Sequence, residues 1–188
     1  MAALRAGEQS GRDAGSTALF LGFFGAAWFG WGQAAAPAAV RPWLTAGSVL
    51  AAVAAATGIA VMVRNRAQPA RMHDRAAGRR YGIIVGAEFG VAAVGAALLA
   101  IAGIPAYIPA LVCAVVGIHF VPLAPVLADP LLIPLGAATC AVAILAVVLR
   151  LTSDVYPSTV TGVGAGALLT GYALGKLIVA LTRRPAAA

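Results

Sequence analysis

An all-α integral membrane fold, a bundle of six transmembrane helices with both termini in the cytoplasm, is predicted by three features of the sequence. Apolar residues make up 62% of the 188 and charged residues only 10%, with a mean hydropathy of +0.94, where soluble domains carry about a quarter charged residues. The apolar residues gather into six stretches of roughly 20 residues, the length a helix needs to cross a hydrocarbon core. The arginines concentrate in alternate connections, which sets an orientation.

The stretches cover residues 17–36, 44–63, 81–102, 105–124, 131–149 and 158–181. The first carries the aromatic residues Phe20, Phe23, Phe24, Trp28, Phe29 and Trp31, and continues across Gln33. The second and fifth are nearly unbroken runs of Ala, Leu, Val and Gly. Glu88 interrupts the third, His119, Pro122 and Pro125 mark the end of the fourth, and Lys176 lies in the last. Lipid offers the backbone no hydrogen-bond partner, and barrel strands would be half as long and alternate in polarity, so each stretch is predicted as a helix. Short connections make successive helices antiparallel neighbours in an up-down bundle.

The connection 64–80 holds Arg64, Arg66, Arg71, Arg75, Arg79 and Arg80 against Asp74 alone. Placing it in the cytoplasm brings Arg5, Arg12, Arg183 and Arg184 to the same side and leaves only Arg41 and Arg150 opposite. The organisation expected is a cytoplasmic leader over residues 1–16, a transmembrane domain over 17–182 containing that arginine-rich loop, and a cytoplasmic tail over 183–188. The locale is the inner membrane of a bacterium, in keeping with the high Ala, Gly and Arg content. A cleaved signal peptide is the alternative for the first stretch, since Arg5 and Arg12 precede it and Ala34-Ala35-Ala36 resembles a small-residue cleavage site. Its aromatic residues suit a packed helix better. The net charge of +7 does not signify nucleic acid, because no aromatic platform or binding module accompanies the arginines; anionic lipid head groups are their expected partners.

Small residues at four-residue spacing let helices approach closely: Gly22, Ala26 and Gly30; Gly82, Gly86 and Gly90; Gly162 and Gly166, with Gly171 and Gly175. These three helices are expected in the bundle interior, the third as a central helix, or one of the stripes faces a second subunit in a homodimer. Pro122 and Pro125 cannot donate to the carbonyls of Ile118 and Val121, which leaves acceptors beside His119.

Six acidic residues, two histidines and two cysteines are too few for a cysteine-rich zinc site or an iron-sulfur cluster, and no metal or cofactor is expected. Cys113 and Cys140 read as small apolar packers. The chemistry rests on Glu88, His119 and Lys176. At 1.5 Å per residue these lie ~12, ~8 and ~10 Å from the cytoplasmic ends of their helices, a common layer. An isolated charge there costs several kcal/mol, so the carboxylate is predicted to be shared between imidazole and ammonium. The structural alternatives are a plain Glu88–Lys176 salt bridge, a packing histidine held by a proline-freed carbonyl, and a lysine that snorkels to the surface. His73 is expected in solvent, while Tyr81, Tyr172, Gln33 and Lys176 are candidates to line a solute site.

Arg79-Arg80-Tyr81, Ala87-Glu88-Phe89-Gly90 and the run from Gly117 through His119 and Phe120 to Pro122-Leu123-Ala124 resemble a pattern in small bacterial multi-pass membrane proteins of uncharacterised activity. The resemblance covers the third and fourth helices and implies Glu88 and His119 as a paired feature. Two functions follow from such a pair. One is transport or binding of a small hydrophobic or cationic solute in exchange for a proton. The other is acid/base catalysis on a lipid or isoprenoid, with Glu88 as acid and His119 as base, similar in scale to small integral-membrane terpene cyclases but without their motifs. A third reading is an accessory protein in which the cluster only holds helices together.

Overall fold

The computed structural model describes residues 10–68 and 75–182. Arg5, Arg71, His73, Asp74, Arg183 and Arg184 lie outside the described residues, as does the side chain of Arg75. The described chain is helical: α1 (Gly11–Gly32), α2 (Arg41–Arg64), α3 (Arg75–Ile101), α4 (Ile108–Val126), α5 (Leu132–Thr152) and α6 (Pro157–Thr182), with short 3-10 turns at Gln33–Ala35 and Pro105–Tyr107. Five of the helices, α2 to α6, are long and apolar enough to cross a membrane. Glycine and tryptophan dilute the apolar content of α1.

Helix ends depart from the apolar limits for local reasons. α1 starts well before residue 17 because Ser10, in extended conformation, caps it by accepting a hydrogen bond from the Asp13 N–H at 3.1 Å. Its first turn is tied to the end of α2: Gly11 N–H donates to Gln68 Oε1 at 2.8 Å, and Arg12 Nη1 donates to the Arg66 carbonyl at 3.4 Å. α4 runs through Pro122 and Pro125 to Val126. It ends on Ala128, whose φ of 45° is left-handed, a C-cap conformation that glycine adopts more readily. Asp129 N–H then closes onto the Ala124 carbonyl at 2.9 Å.

Antiparallel packing proceeds through glycines. A Cβ built on Gly15 would lie 2.6 Å from the Met62 nitrogen and one on Gly58 2.6 Å from the Leu19 nitrogen, so α1 and α2 meet backbone to backbone. Gly32 and Gly162 bring α1 equally close to α6, and Gly117 and Gly136 join α4 to α5. Cys113 and Cys140 sit in the α4–α5 seam as free thiols, donating to the carbonyls of Thr139 at 3.4 Å and Ala114 at 3.7 Å. The alternation of helix direction gathers Arg12, Arg64, Arg66, Arg79 and Arg80 at one end of the bundle and Arg41 and Arg150 at the other.

α3 is not central. It packs on α4, with α1 facing it across a gap, and a Cβ at Gly82, Gly86 or Gly90 would have nothing within 4 Å among the described residues. Gly30, Gly171 and Gly175 also face open space, whereas Gly22, Gly162 and Gly166 are packed as the spacing suggested. Converting Gly82, Gly86 and Gly90 to alanine is therefore expected to leave stability unchanged or raise it by up to about 1 kcal/mol per site, measured by thermal unfolding in detergent. A substantial loss would show that the stripe packs against protein.

Candidate functional site

Between α1 and α3, with α4 behind, lies a cleft of about 360 Å³. Its walls follow helical periodicity. α1 contributes Asp13, Thr17, Phe20, Phe24, Trp28 and Trp31; α3 contributes Tyr81, Val85, Glu88 and Ala92; α4 contributes Val112, Val116, His119 and Leu123. Steps of three and four place each set on one helical face.

Glu88 and His119 meet on this wall. Glu88 Oε1 lies 3.3 Å from His119 Nδ1, with both side chains about one-seventh exposed. The same Nδ1 is 2.8 Å from the Val116 carbonyl, one turn back along α4. A carbonyl only accepts, so Nδ1 carries the hydrogen in this arrangement, shared between Val116 and the carboxylate, which leaves Nε2 as the basic atom of the neutral ring. The acceptor is not a carbonyl freed by proline: Val116 precedes Ile118 and Val121, and the imidazole turns back up the helix to reach it.

Lys176 belongs to a second group. Its Nζ lies 2.6 Å from Asp129 Oδ2, and the Tyr172 hydroxyl donates to the same oxygen at 2.7 Å. Tyr172 and Lys176 are four residues apart on α6, so both reach one partner, and the ammonium also stands 5.1 Å from the Tyr172 ring centre. Asp129 is only 3% exposed. The left-handed turn at Ala128 brings it there, folding the chain after α4 back beneath the helix. The single shared triad is thus corrected: carboxyl and imidazole meet, while the amine pairs with a different carboxylate, one that also lines the cleft.

Of the four residues expected to line a solute site, Tyr81 does so. Tyr172 and Lys176 stand behind Asp129. Gln33 lies past the far end of α1, where its Oε1 accepts from the Thr45 hydroxyl at 3.2 Å. Asp13 and Asp129 were missed. The Ser10-to-Asp13 spacing, a capping signature, was a sign that α1 begins early enough to carry Asp13 into the wall. Asp129 lay hidden because it falls beyond the apolar stretch that ends at residue 124, in the connection to the next helix.

Among the described residues no three His, Cys, Asp or Glu side chains stand together as a metal site. These walls hold a carboxylate–imidazole contact and an ion pair within an apolar, aromatic surround. No protein-family model, curated protein or solved structure matches the chain.

Proposed function

We propose that the protein is a six-span bacterial inner-membrane protein with cytoplasmic termini, in which the α1–α3 cleft binds a small hydrophobic or cationic solute and the Glu88–His119 pair exchanges a proton with it. The observation that carries this reading is the 3.3 Å carboxylate–imidazole contact on the wall of an apolar cavity. Two proton sites in contact hand a proton between them with little reorganisation, and a cavity beside them gives binding a way to change their protonation. α1 counts as a span in this reading because it is sandwiched antiparallel between α2 and α6, both long enough to cross. The orientation follows from the exposed arginines Arg64, Arg66, Arg79 and Arg80 at one end, which meet cytoplasmic anionic head groups.

The acid/base enzyme remains the second reading, favoured by the same cavity: Glu88 as donor and His119 Nε2 as acceptor face a space large enough for a small isoprenoid. The third reading, a staple, is favoured by the Asp129–Lys176–Tyr172 group, which joins the α4–α5 turn to α6.

The test uses protein in liposomes enclosing a pH-sensitive dye and a panel of lipophilic cations and neutral solutes. Solute-driven proton movement is expected in the wild type, lost in Glu88→Gln and strongly reduced in His119→Gln, both variants unfolding at or above the wild-type temperature. Proton movement that survives in both variants, or that no panel member elicits, would overturn the exchange reading. New products from supplied isoprenoids, absent with Glu88→Gln, would establish the enzyme instead.

A further inference from the structure

Resting on the cleft as a solute site, we infer that its ligand is an uncharged long-chain alcohol, with the hydroxyl held by Glu88 and His119 and the apolar chain running away from the arginine-rich end. The open atoms of the pair come first. Their contact uses Glu88 Oε1 and His119 Nδ1, and Nδ1 is also engaged by the Val116 carbonyl. Glu88 Oε2 and His119 Nε2 have no hydrogen-bond partner among the described residues, yet neither is a buried, unsatisfied atom. Both residues line the cleft, so the surface these two atoms keep is offered to whatever occupies it.

Counting protons gives the class of head. In its net-neutral state, the one that costs least inside a span, the pair holds one proton beyond the hydrogen on Nδ1. Held by Glu88, that proton makes the carboxyl a donor and leaves Nε2 an acceptor. Held on Nε2, it makes the ring a donor and leaves the carboxylate an acceptor. Either way the cleft is presented with one donor and one acceptor. A hydroxyl donates through one rotatable hydrogen and accepts on the same oxygen, so it answers both arrangements by turning its O–H bond. An ether or ketone only accepts and an ammonium only donates, so each leaves one atom of the pair without a partner. A charged head would also disturb a pair that is already neutral, at a depth where burying charge is costly.

Position gives the rest of the molecule. Glu88 stands midway along α3. Beyond it, away from the arginine-rich end, the walls are Phe24, Trp28 and Trp31 of α1, Ala92 of α3, and Val112 and Val116 of α4. Val112 lies roughly 10 Å from His119 along its helix at the helical rise. Apolar wall of that length accepts a hydrocarbon chain and offers no side-chain partner to a second polar group. At the rim, Phe20 is 50% and Phe89 58% exposed, so the mouth opens on the flank of the bundle and a long-chain alcohol reaches it from within the bilayer.

The experiment compares decanol, its methyl ether and decylammonium for binding to the full-length protein in nanodiscs. Empty nanodiscs fix the share of each probe dissolved in lipid, so that affinities are compared at equal bilayer concentration. The readout is tryptophan fluorescence in a Trp43→Phe background, which leaves Trp28 and Trp31 at the chain end of the cleft. Decanol is expected to bind at least about tenfold more tightly than the ether, the cost of leaving a donor unanswered, and more tightly than decylammonium. His119→Phe and Glu88→Leu should each bring the alcohol-to-ether ratio close to one, while Glu88→Gln, which keeps a donor and an acceptor beside the ring, should preserve it. Equal binding of decanol and ether by the wild type, tighter binding of decylammonium, or a preference for decanol that survives both His119→Phe and Glu88→Leu would overturn the hydroxyl assignment while leaving the cleft as a solute site. Failure of all three probes to bind would overturn both.

Discussion

Replacing Lys176 with methionine is expected to cost about 3–5 kcal/mol of stability, the range for removing one partner of a buried ion pair. Methionine preserves the packing of the lysine stem and deletes only the ammonium 2.6 Å from Asp129. The carboxylate, 3% exposed, would keep the Tyr172 hydroxyl and lose the ammonium. The double variant Asp129→Asn with Lys176→Met should recover much of the loss, because a neutral amide still accepts from Tyr172 and no buried charge remains. Detergent unfolding of the wild type, both single variants and the double variant completes the cycle. A cost below about 1 kcal/mol for Lys176→Met would mean that the pair behaves as a solvated surface contact, contrary to its burial.

Gly162→Val is expected to be the most damaging single change in the glycine seams. A Cβ at that position would lie 2.5 Å from the Gly32 Cα and 2.9 Å from the Trp28 carbonyl oxygen. Both neighbours are backbone atoms of α1 and cannot rotate aside, so α1 and α6 must separate. Overpacking of this kind costs about 1–3 kcal/mol and occasionally more, and the upper end is expected here. Gly171→Val, on the same helix, meets nothing within 4 Å and serves as the control. Similar melting temperatures for the two variants would show that the seam is loose. Because Trp28 lines the cleft, Gly162→Val should also weaken ligand binding, which Gly171→Val should not.

The helices and the Glu88–His119 contact could be read from the sequence for one reason: span length and depth depend only on counting residues along an axis. Rotation about that axis was far less legible. With nearly every position of α3 apolar, its polar face is marked by Glu88 alone, and the Gly82–Gly90 spacing does not tell an interior face from one that meets none of the other described residues of the chain. The partner of Lys176 was missed for a different reason. Asp129 falls after two prolines, where a helix would be expected to have ended, yet α4 tolerates both, and a non-glycine residue in left-handed conformation then turns the chain inward. Asp13 escaped notice because apolar content alone places the start of α1 too late, while its actual start is set by a serine cap.

How α3 is fastened has a mechanical consequence. α1 is clamped on two sides by glycine contacts with α2 and α6, so tilting it would tear backbone-to-backbone packing along both seams. Among the described elements α3 is held along a single edge, its line of contact with α4 and the turn that precedes it. The compliance of the molecule is therefore concentrated in one helix, and that helix carries Glu88. Any swing that widens the cleft moves the carboxylate relative to His119, which stays with α4, so the aperture and the carboxylate–imidazole distance are coupled by the same rotation.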